Sequence, residues 1–384
     1  MTFQRRDFLK ALGAAGILLP TSLLASDDDN NTSSTPATVP GATGAAGHVV
    51  VVGGGMGGAA AAKYLRLWGG TNVRVTLIEK NPAYISNILS NSVLYGGKTL
   101  QQLTFGYAAL AKNYGINVVQ GEVTGIDPIS KKLSLGNGSS LAYDRLVLSP
   151  GIDFDPIPGL ETATAQLAIP HAWKAGAQTI ALRDQLRAMP AGGVFVMTIP
   201  AAPYRCPPGP YERACVVADW LKKNKPGSKV IVLDANAGIT AQKNNFTYAF
   251  NTIHAGVIDY RPASTVLAID AATRTLDTNA GLLKANVINA ILPQRAGGLV
   301  RAAGLDNVNG RWAGGDVMTY ESTVAGASGI HIIGDASATT QPKAGHIANQ
   351  EGKVCADAIV RSLKGQAPDP APTTNSTCYT PITM

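Results

Sequence analysis

Apolar residues in this chain come in short runs punctuated by glycine. His48 to Val52 is almost continuously apolar and of strand length, the pattern of a strand buried on both faces of a parallel sheet. Gly53-Gly54-Gly55-Met56-Gly57-Gly58 follows, then a helix-length stretch from Ala59 to Leu67, then a second strand-like run, Val73 to Ile78, closed by Glu79. The order predicts a βαβ unit. Further strands are predicted at Leu146–Leu148, Val194–Ile199 and His331–Ile333, and helices from Tyr211 to about Lys223 and over Gly345–Leu363. Ser26 to Gly47 shows no periodicity and is rich in Asp, Asn, Ser, Thr, Pro, Gly and Ala. That composition predicts a disordered linker.

The first turn carries Gly-x-Gly-x-x-Gly between a strand and a helix, the context in which this motif binds a dinucleotide. Gly53 makes the tight turn, Gly55 admits the pyrophosphate and Gly58 lets the helix pack on the strand. The helix N-terminus then faces the phosphates. Glu79, 21 residues beyond Gly58, is placed to accept hydrogen bonds from ribose hydroxyls. A βαβ unit alone does not separate FAD from NAD. A corresponding second turn is expected after Val194–Ile199. It reads Tyr204-Arg205-Cys206-Pro207-Pro208-Gly209-Pro210-Tyr211-Glu212-Arg213, a cysteine between prolines where a phosphate loop would need glycines.

Composition narrows the class. The 384 residues are 45% hydrophobic with 42 glycines, which suits an α/β protein with many tight turns. The formal net charge of +7 is spread out, with no basic and aromatic cluster of the kind that binds nucleic acid. Gln4-Arg5-Arg6-Asp7-Phe8-Leu9-Lys10, followed by the apolar run Ala11–Leu24 and Ala25-Ser26, resembles a twin-arginine export signal. The expected location is the periplasm, with no stable membrane span once the signal is removed. The four cysteines, Cys206, Cys215, Cys355 and Cys378, allow three full pairings. There is no Cys-x-x-Cys-His, so no haem is expected on this chain, and no spacing suggests a metal site.

Two segments tip the dinucleotide towards FAD by resemblance. Leu146-Val147-Leu148-Ser149-Pro150-Gly151 and His331-Ile332-Ile333-Gly334-Asp335-Ala336 resemble the flavin-contacting turns of two-domain flavoprotein reductases. Pro170 to Gly176, Tyr204 to Arg213, Pro293 to Gly297, Pro342-Lys343-Ala344-Gly345 and Thr377-Cys378-Tyr379 resemble the flavoprotein subunit of flavocytochrome c sulfide dehydrogenase. The resemblance runs from about His48 to Tyr379. It implies an α/β fold of two Rossmann-like domains: an FAD domain interrupted by an NAD-domain-like insertion, plus a short C-terminal interface segment. The expected bounds are 1–25 signal peptide, 26–47 linker, 48–163 and 283–345 FAD domain, 164–282 central domain, and 346–384 C-terminal segment, shorter than the family's.

The resemblance also assigns roles. Cys206 and Cys378 form a redox-active disulfide beside the flavin, and Glu212 moves protons there. Arg205 and Arg213 lower the thiol pKa or attract HS⁻. Gly53, Gly55, Gly58, Glu79, Lys80, Val123, Gly151, Asp335 and Lys343 hold FAD, with Lys343 stabilising negative charge on the reduced ring. Asn87 stands where relatives carry the flavin-linking cysteine, so FAD is expected to be non-covalent. HS⁻ attacks the disulfide, leaving a persulfide and a thiolate, and electrons leave through a separate c-type cytochrome subunit in a heterodimer. Two alternatives remain at this stage: a sulfide:quinone oxidoreductase, and an accessory flavoprotein maintaining a thiol-bearing sulfur carrier.

Overall fold

In the computed structural model, residues 37–384 are described. They run through β1 (Gly47–Val52), α1 (Met56–Gly69), β2 (Val73–Glu79), β3 (Asn117–Gln120), β4 (Arg145–Leu148), α2 (Ala177–Ala188), β5 (Val194–Ile199), α3 (Gly209–Asn224), β6 (Lys229–Asp234), β7 (Ile258–Arg261), β8 (Val287–Ala290), β9 (Ile330–Ile332) and α4 (Gly345–Leu363), with shorter elements between. Five strands form a parallel sheet in the order β9-β4-β1-β2-β3. β1 lies near its centre, and Val49, Val50 and Val51 are wholly buried, as a strand covered on both faces requires. A second parallel sheet has the order β7-β6-β5-β8. The protein is therefore α/β with two Rossmann-like domains, as expected.

The borders between them differ from the sequence reading. β8, expected in the returning part of the first domain, pairs with β5 in register Phe195–Val287 to Thr198–Ala290 and belongs to the central sheet. Ile157 and Leu160, expected before the central domain, pack with Val196, Ile231 and Ile288 in its core. The chain enters and leaves the central domain through an antiparallel ribbon, Ile152–Phe154 against Gln294–Ala296. That ribbon, rather than residues 163 and 282, marks the crossing.

Two terminal expectations are also corrected. The end of the expected disordered linker is docked on the first domain: Ala45 is fully buried, the Thr43 hydroxyl donates to Gly69 O at 2.6 Å, and Ala42 bridges Gly70. The exclusively small residues of this stretch let its backbone lie close against the chain. α4, expected to open the C-terminal segment, packs along α1 through Ala356, Ile359 and Val360, which join Ala61, Ala62 and Leu65 in one core. It is an integral layer of the first domain. The twin-arginine motif and its apolar run lie outside the described residues. Among the described residues, no helix is long and apolar enough to cross a membrane.

Candidate functional site

The glycine turn between β1 and α1 has the shape its sequence demands. Gly53 has φ +100°, and a Cβ there would come within 2.3 Å of Ser149 O. A Cβ on Gly58 would come within 1.9 Å of Gly53 O. At Gly55, by contrast, a Cβ would meet only Tyr84, at 3.8 Å, so space is kept over the first turn of α1. A cavity of about 300 Å³ opens there, lined by Gly54, Gly55, Met56, Tyr84, Tyr107 and others. Glu79 ends β2 beside this turn: its carboxylate accepts from Gly54 N–H at 2.8 Å and from Asn81 N–H at 2.9 Å.

A second group of polar residues gathers where β9 ends and α4 begins. Asp335 and Arg205 approach to 3.9 Å. Asp335 Oδ1 and Arg205 Nη2 are nevertheless buried without a protein partner, as is Gln341 Oε1. Unpaired buried polar atoms are costly unless a ligand completes them. Burial pushes the Asp335 carboxyl up, against the opposing pull of Arg205 and Lys343. Lys343 is itself buried. Its ammonium donates to Ser337 O at 2.6 Å and lies 3.8 Å from the Trp312 ring centroid. Burial lowers its pKa to about 8. A glycine cradle with a free first helical turn, a ribose-type carboxylate and unpaired buried groups at Gly334-Asp335 together fit a flavin dinucleotide.

The cysteine turn meets this group directly. Cys206 has φ +57°, the left-handed region that non-glycine residues seldom occupy. Its N–H donates to Lys343 O at 2.7 Å and its carbonyl accepts from Gly209 N–H at 2.8 Å. Arg205 N–H donates to Gln294 Oε1 at 2.7 Å, and Trp173 Nε1 to Arg205 O at 3.1 Å. The central domain's first turn is thus tied to the segment that opens α4 and, through Gln294, to the returning strand of the domain crossing. Glu212, on the first turn of α3, receives Asn91 Nδ2 at 2.7 Å, and burial pushes its carboxyl up.

Three observations bear on the expected sulfur chemistry. First, Cys206 and Cys378 are both free thiols, with no bond closed between them. Cys378 lies near enough for its charge to bear on Cys206. Second, the Cys206 thiol is pushed up to about 12 by burial and by Glu212; Arg205 only partly opposes them. Third, Arg213 does not face an open anion site. It is buried, donates to Asn91 Oδ1, His171 O, Asn289 Oδ1 and Ala172 O at 2.8–3.1 Å, and stacks on Trp173. It is a structural pin between α3 and the Pro170–Trp173 loop. Cys215 and Cys355 are buried among apolar residues, as small core side chains.

The other expected residues have partners outside the cysteine turn. Lys80 is exposed and 3.6 Å from Glu122. Val123 is buried and opens a small antiparallel sheet against Leu135. Gly151, with φ +69°, accepts from Gly297 N–H at 2.9 Å in the domain ribbon. Asn87 Oδ1 accepts from Ala175 N–H at 2.8 Å, so its amide is engaged with the Pro170–Gly176 loop. Glu351 was not anticipated. It is 1% exposed and accepts from Gly334 N–H. One signal was available: it sits four residues after Ile347 and four before Cys355, on the apolar stripe of α4, where a carboxylate is out of place.

Comparison with known proteins agrees with this arrangement. Residues 179–293 match the family described as the central part of the sulfide dehydrogenase [flavocytochrome c] flavoprotein chain. Residues 47–181 match the pyridine nucleotide-disulphide oxidoreductase family. Among solved structures, a sulfide:quinone oxidoreductase from Aquifex aeolicus aligns with TM-score 0.68 at 20% identity, covering 83% of this chain and 78% of that one. A ferredoxin reductase from Rhodopseudomonas palustris aligns at 0.63 and 19%, covering 83% and 76%. A NAD-dependent persulfide reductase from A. fulgidus aligns at 0.63 and 18%, covering 82% and 59%. At such identities the likeness is one of fold.

Proposed function

We propose a function from one premise: the chain is an oxidoreductase of the two-domain flavoprotein disulfide oxidoreductase superfamily, carrying the central domain of flavocytochrome c sulfide dehydrogenase flavoprotein chains. It is a sulfide dehydrogenase flavoprotein. It takes two electrons from sulfide through Cys206 and Cys378 to non-covalent FAD, and delivers them to a c-type cytochrome partner in the periplasm. The observation that carries this reading is the Cys206 N–H to Lys343 O bond. It fastens a strained cysteine turn to the segment bearing Asp335, Lys343 and the start of α4, within the electrostatic reach of Cys378 and Glu212.

When bound, FAD would supply a two-electron sink that can be emptied one electron at a time. Gly53, Gly55 and Gly58 would hold its pyrophosphate, Glu79 a ribose and Asp335 the ribityl chain. The remaining chemistry belongs to the protein. HS⁻ attacks one sulfur of the closed Cys206–Cys378 disulfide; the S–S bond breaks, giving a persulfide on one cysteine and a thiolate on the other. A second sulfide takes the outer persulfide sulfur as a polysulfide and leaves the second cysteine reduced. Closing the disulfide again releases two electrons. A Cys206 sulfur so placed prefers its proton, and Glu212, with its carboxyl raised by burial, is the group to exchange it. Arg205 stands between Cys206 and Asp335 and is the cation that answers the released charge.

The central domain offers little for a nicotinamide cofactor. The turn after β5 has Cys206-Pro207-Pro208 in place of glycines. Asp234, ending β6 where a ribose carboxylate would stand, is fully buried; it accepts from Tyr211 and Tyr260 hydroxyls, both at 2.8 Å.

The test is anaerobic addition of sulfide to FAD-loaded protein, followed at the flavin absorbance. Bleaching reversed by cytochrome c is expected. Absence of bleaching sinks the sulfide assignment; reversal by a quinone but not by cytochrome c moves the protein to the quinone-reducing class.

A further inference from the structure

Glu351 is the one buried carboxylate of this region that the reading above leaves without a task. It projects from the second turn of α4 towards the end of β9. One oxygen accepts from Gly334 N–H, the residue before Asp335, and Ser337 Oγ and Thr339 Oγ1 lie 3.4 Å from the carboxylate. With Asp335, Gln341 and Lys343 it surrounds one narrow pocket that has no room for a water molecule. Among the described residues, no arginine or lysine forms an ion pair with it. The charged and titratable groups that face it are Asp335 and Lys343 across the pocket, Tyr320 from the neighbouring loop, and Cys355 one turn along its own helix.

We propose that Glu351 is a positioning residue for the flavin with two linked tasks: it clamps the Gly334-Asp335 turn, and with Lys343 it forms a buried proton-holding pair whose charge follows the oxidation state of the cofactor. Two features support the second task. A carboxylate and an ammonium share a pocket without touching, so a proton can settle on the pair without breaking an ion pair. Their pKa values also converge, Glu351 raised to about 7 by burial and Lys343 lowered to about 8. Between those values Glu351 is anionic and Lys343 cationic. Negative charge arriving beside them raises both pKa values further, so a proton is taken up and rests on Glu351. Two-electron reduction of a bound flavin would then take up two protons in all, one with the cofactor and one on Glu351, and reoxidation would return both.

This rests on the flavoprotein reading but not on the sulfur substrate, so its test uses no sulfide. The midpoint potential of FAD-loaded protein is measured against pH from about 6.5 to 8.5, with chemical reductant and reference dyes. The slope gives protons taken up per two electrons. The unmodified protein is expected to take up two near neutral pH. Glu351→Gln keeps an oxygen for Gly334 N–H but holds no proton; it is expected to retain FAD and take up one. Glu351→Ala loses the clamp as well and should bind FAD about tenfold more weakly in fluorescence titration, as loss of one hydrogen bond to a buried turn implies. Equal slopes in the unmodified and Glu351→Gln proteins would overturn the proton-holding role, and equal FAD affinity in Glu351→Ala would overturn the clamp. Failure of the unmodified protein to bind FAD at all would overturn the flavoprotein reading and this proposal with it.

Discussion

In the reduced protein, iodoacetamide at pH 7 should label Cys378 and leave Cys206 largely unlabelled, as read by peptide mass spectrometry. Cys378 is exposed. Cys206 is half-buried and pushed up to about 12 by burial and Glu212, and only the thiolate reacts. The sign is clear for a variant as well. Glu212→Gln removes a negative charge that opposes the thiolate, so Cys206 labelling at pH 8 should rise severalfold; no change would show that Glu212 does not reach the thiol. Cys206→Ser should retain FAD and lose reduction by sulfide, whereas unchanged reduction would refute its part in the chemistry. These residues were legible in sequence to different degrees. The cysteine held between prolines stood out because its residue types contradict the turn they occupy. Arg213 was misread because a guanidinium next to a cysteine gives the same string whether it faces solvent or, as here, four oxygen acceptors in the core.

At the scale of elements, the β1–α1 turn yields the sharpest expectation. Gly58→Ala would drive a Cβ onto Gly53 O, forcing backbone apart where α1 packs on β1. Overpacking of this kind costs about 1–3 kcal/mol, so thermal unfolding should fall by several degrees and FAD should separate from the protein on gel filtration. Retention of FAD at normal stability would mean that the turn is not its cradle. This turn was readable because strand, glycines, helix and acidic residue all fall within one local stretch. β5 and α3 were equally plain, with Val194–Ile199 appearing as expected and α3 starting two residues early at Gly209. The membership of β8 was not readable: Val287-Ile288-Asn289-Ala290 would be buried in either sheet, and its pairing with β5 is a contact across most of a domain that no local pattern encodes. The same holds for Glu351, whose place on an apolar stripe marked it as unusual but whose partner, Gly334 N–H, comes from another element.

Over the whole molecule, the segment after α4 joins the two domains and carries Cys378 between its fastenings. On the first domain, Thr374 receives a bond from Gln341, and Asn375 from Gln350 at 3.4 Å. On the central domain, Thr380 donates to Gln242 at 2.8 Å, Met384 N–H donates to Asp219 at 3.0 Å, and Ile382 O lies 2.7 Å from His254 Nε2. A carbonyl only accepts, so His254 Nε2 carries a proton. Burial, with Lys222 nearby, holds the His254 pKa below its usual 6.5, opposed by the bond to Ile382 O and by Asp219. An imidazole whose folded pKa is depressed supports the folded state fully above 6.5; that support is lost as pH falls from 6.5 towards the folded value, by at most about 1.4 kcal/mol per pH unit. His171, lowered to about 3 by burial, adds the same trend to global stability, so detachment of the segment must be read separately from unfolding. Limited proteolysis by an enzyme active at both pH values does so. Cleavage between Lys364 and Met384 is expected to be slow in the unmodified protein at both pH 5.5 and 7.5 while the rest of the chain stays intact. In His254→Ala it should be fast at both. Equally slow cleavage in His254→Ala would show that His254 does not hold the segment. If it does hold it, reoxidation of the thiol pair should slow in His254→Ala at neutral pH while alkylation of Cys378 stays as fast.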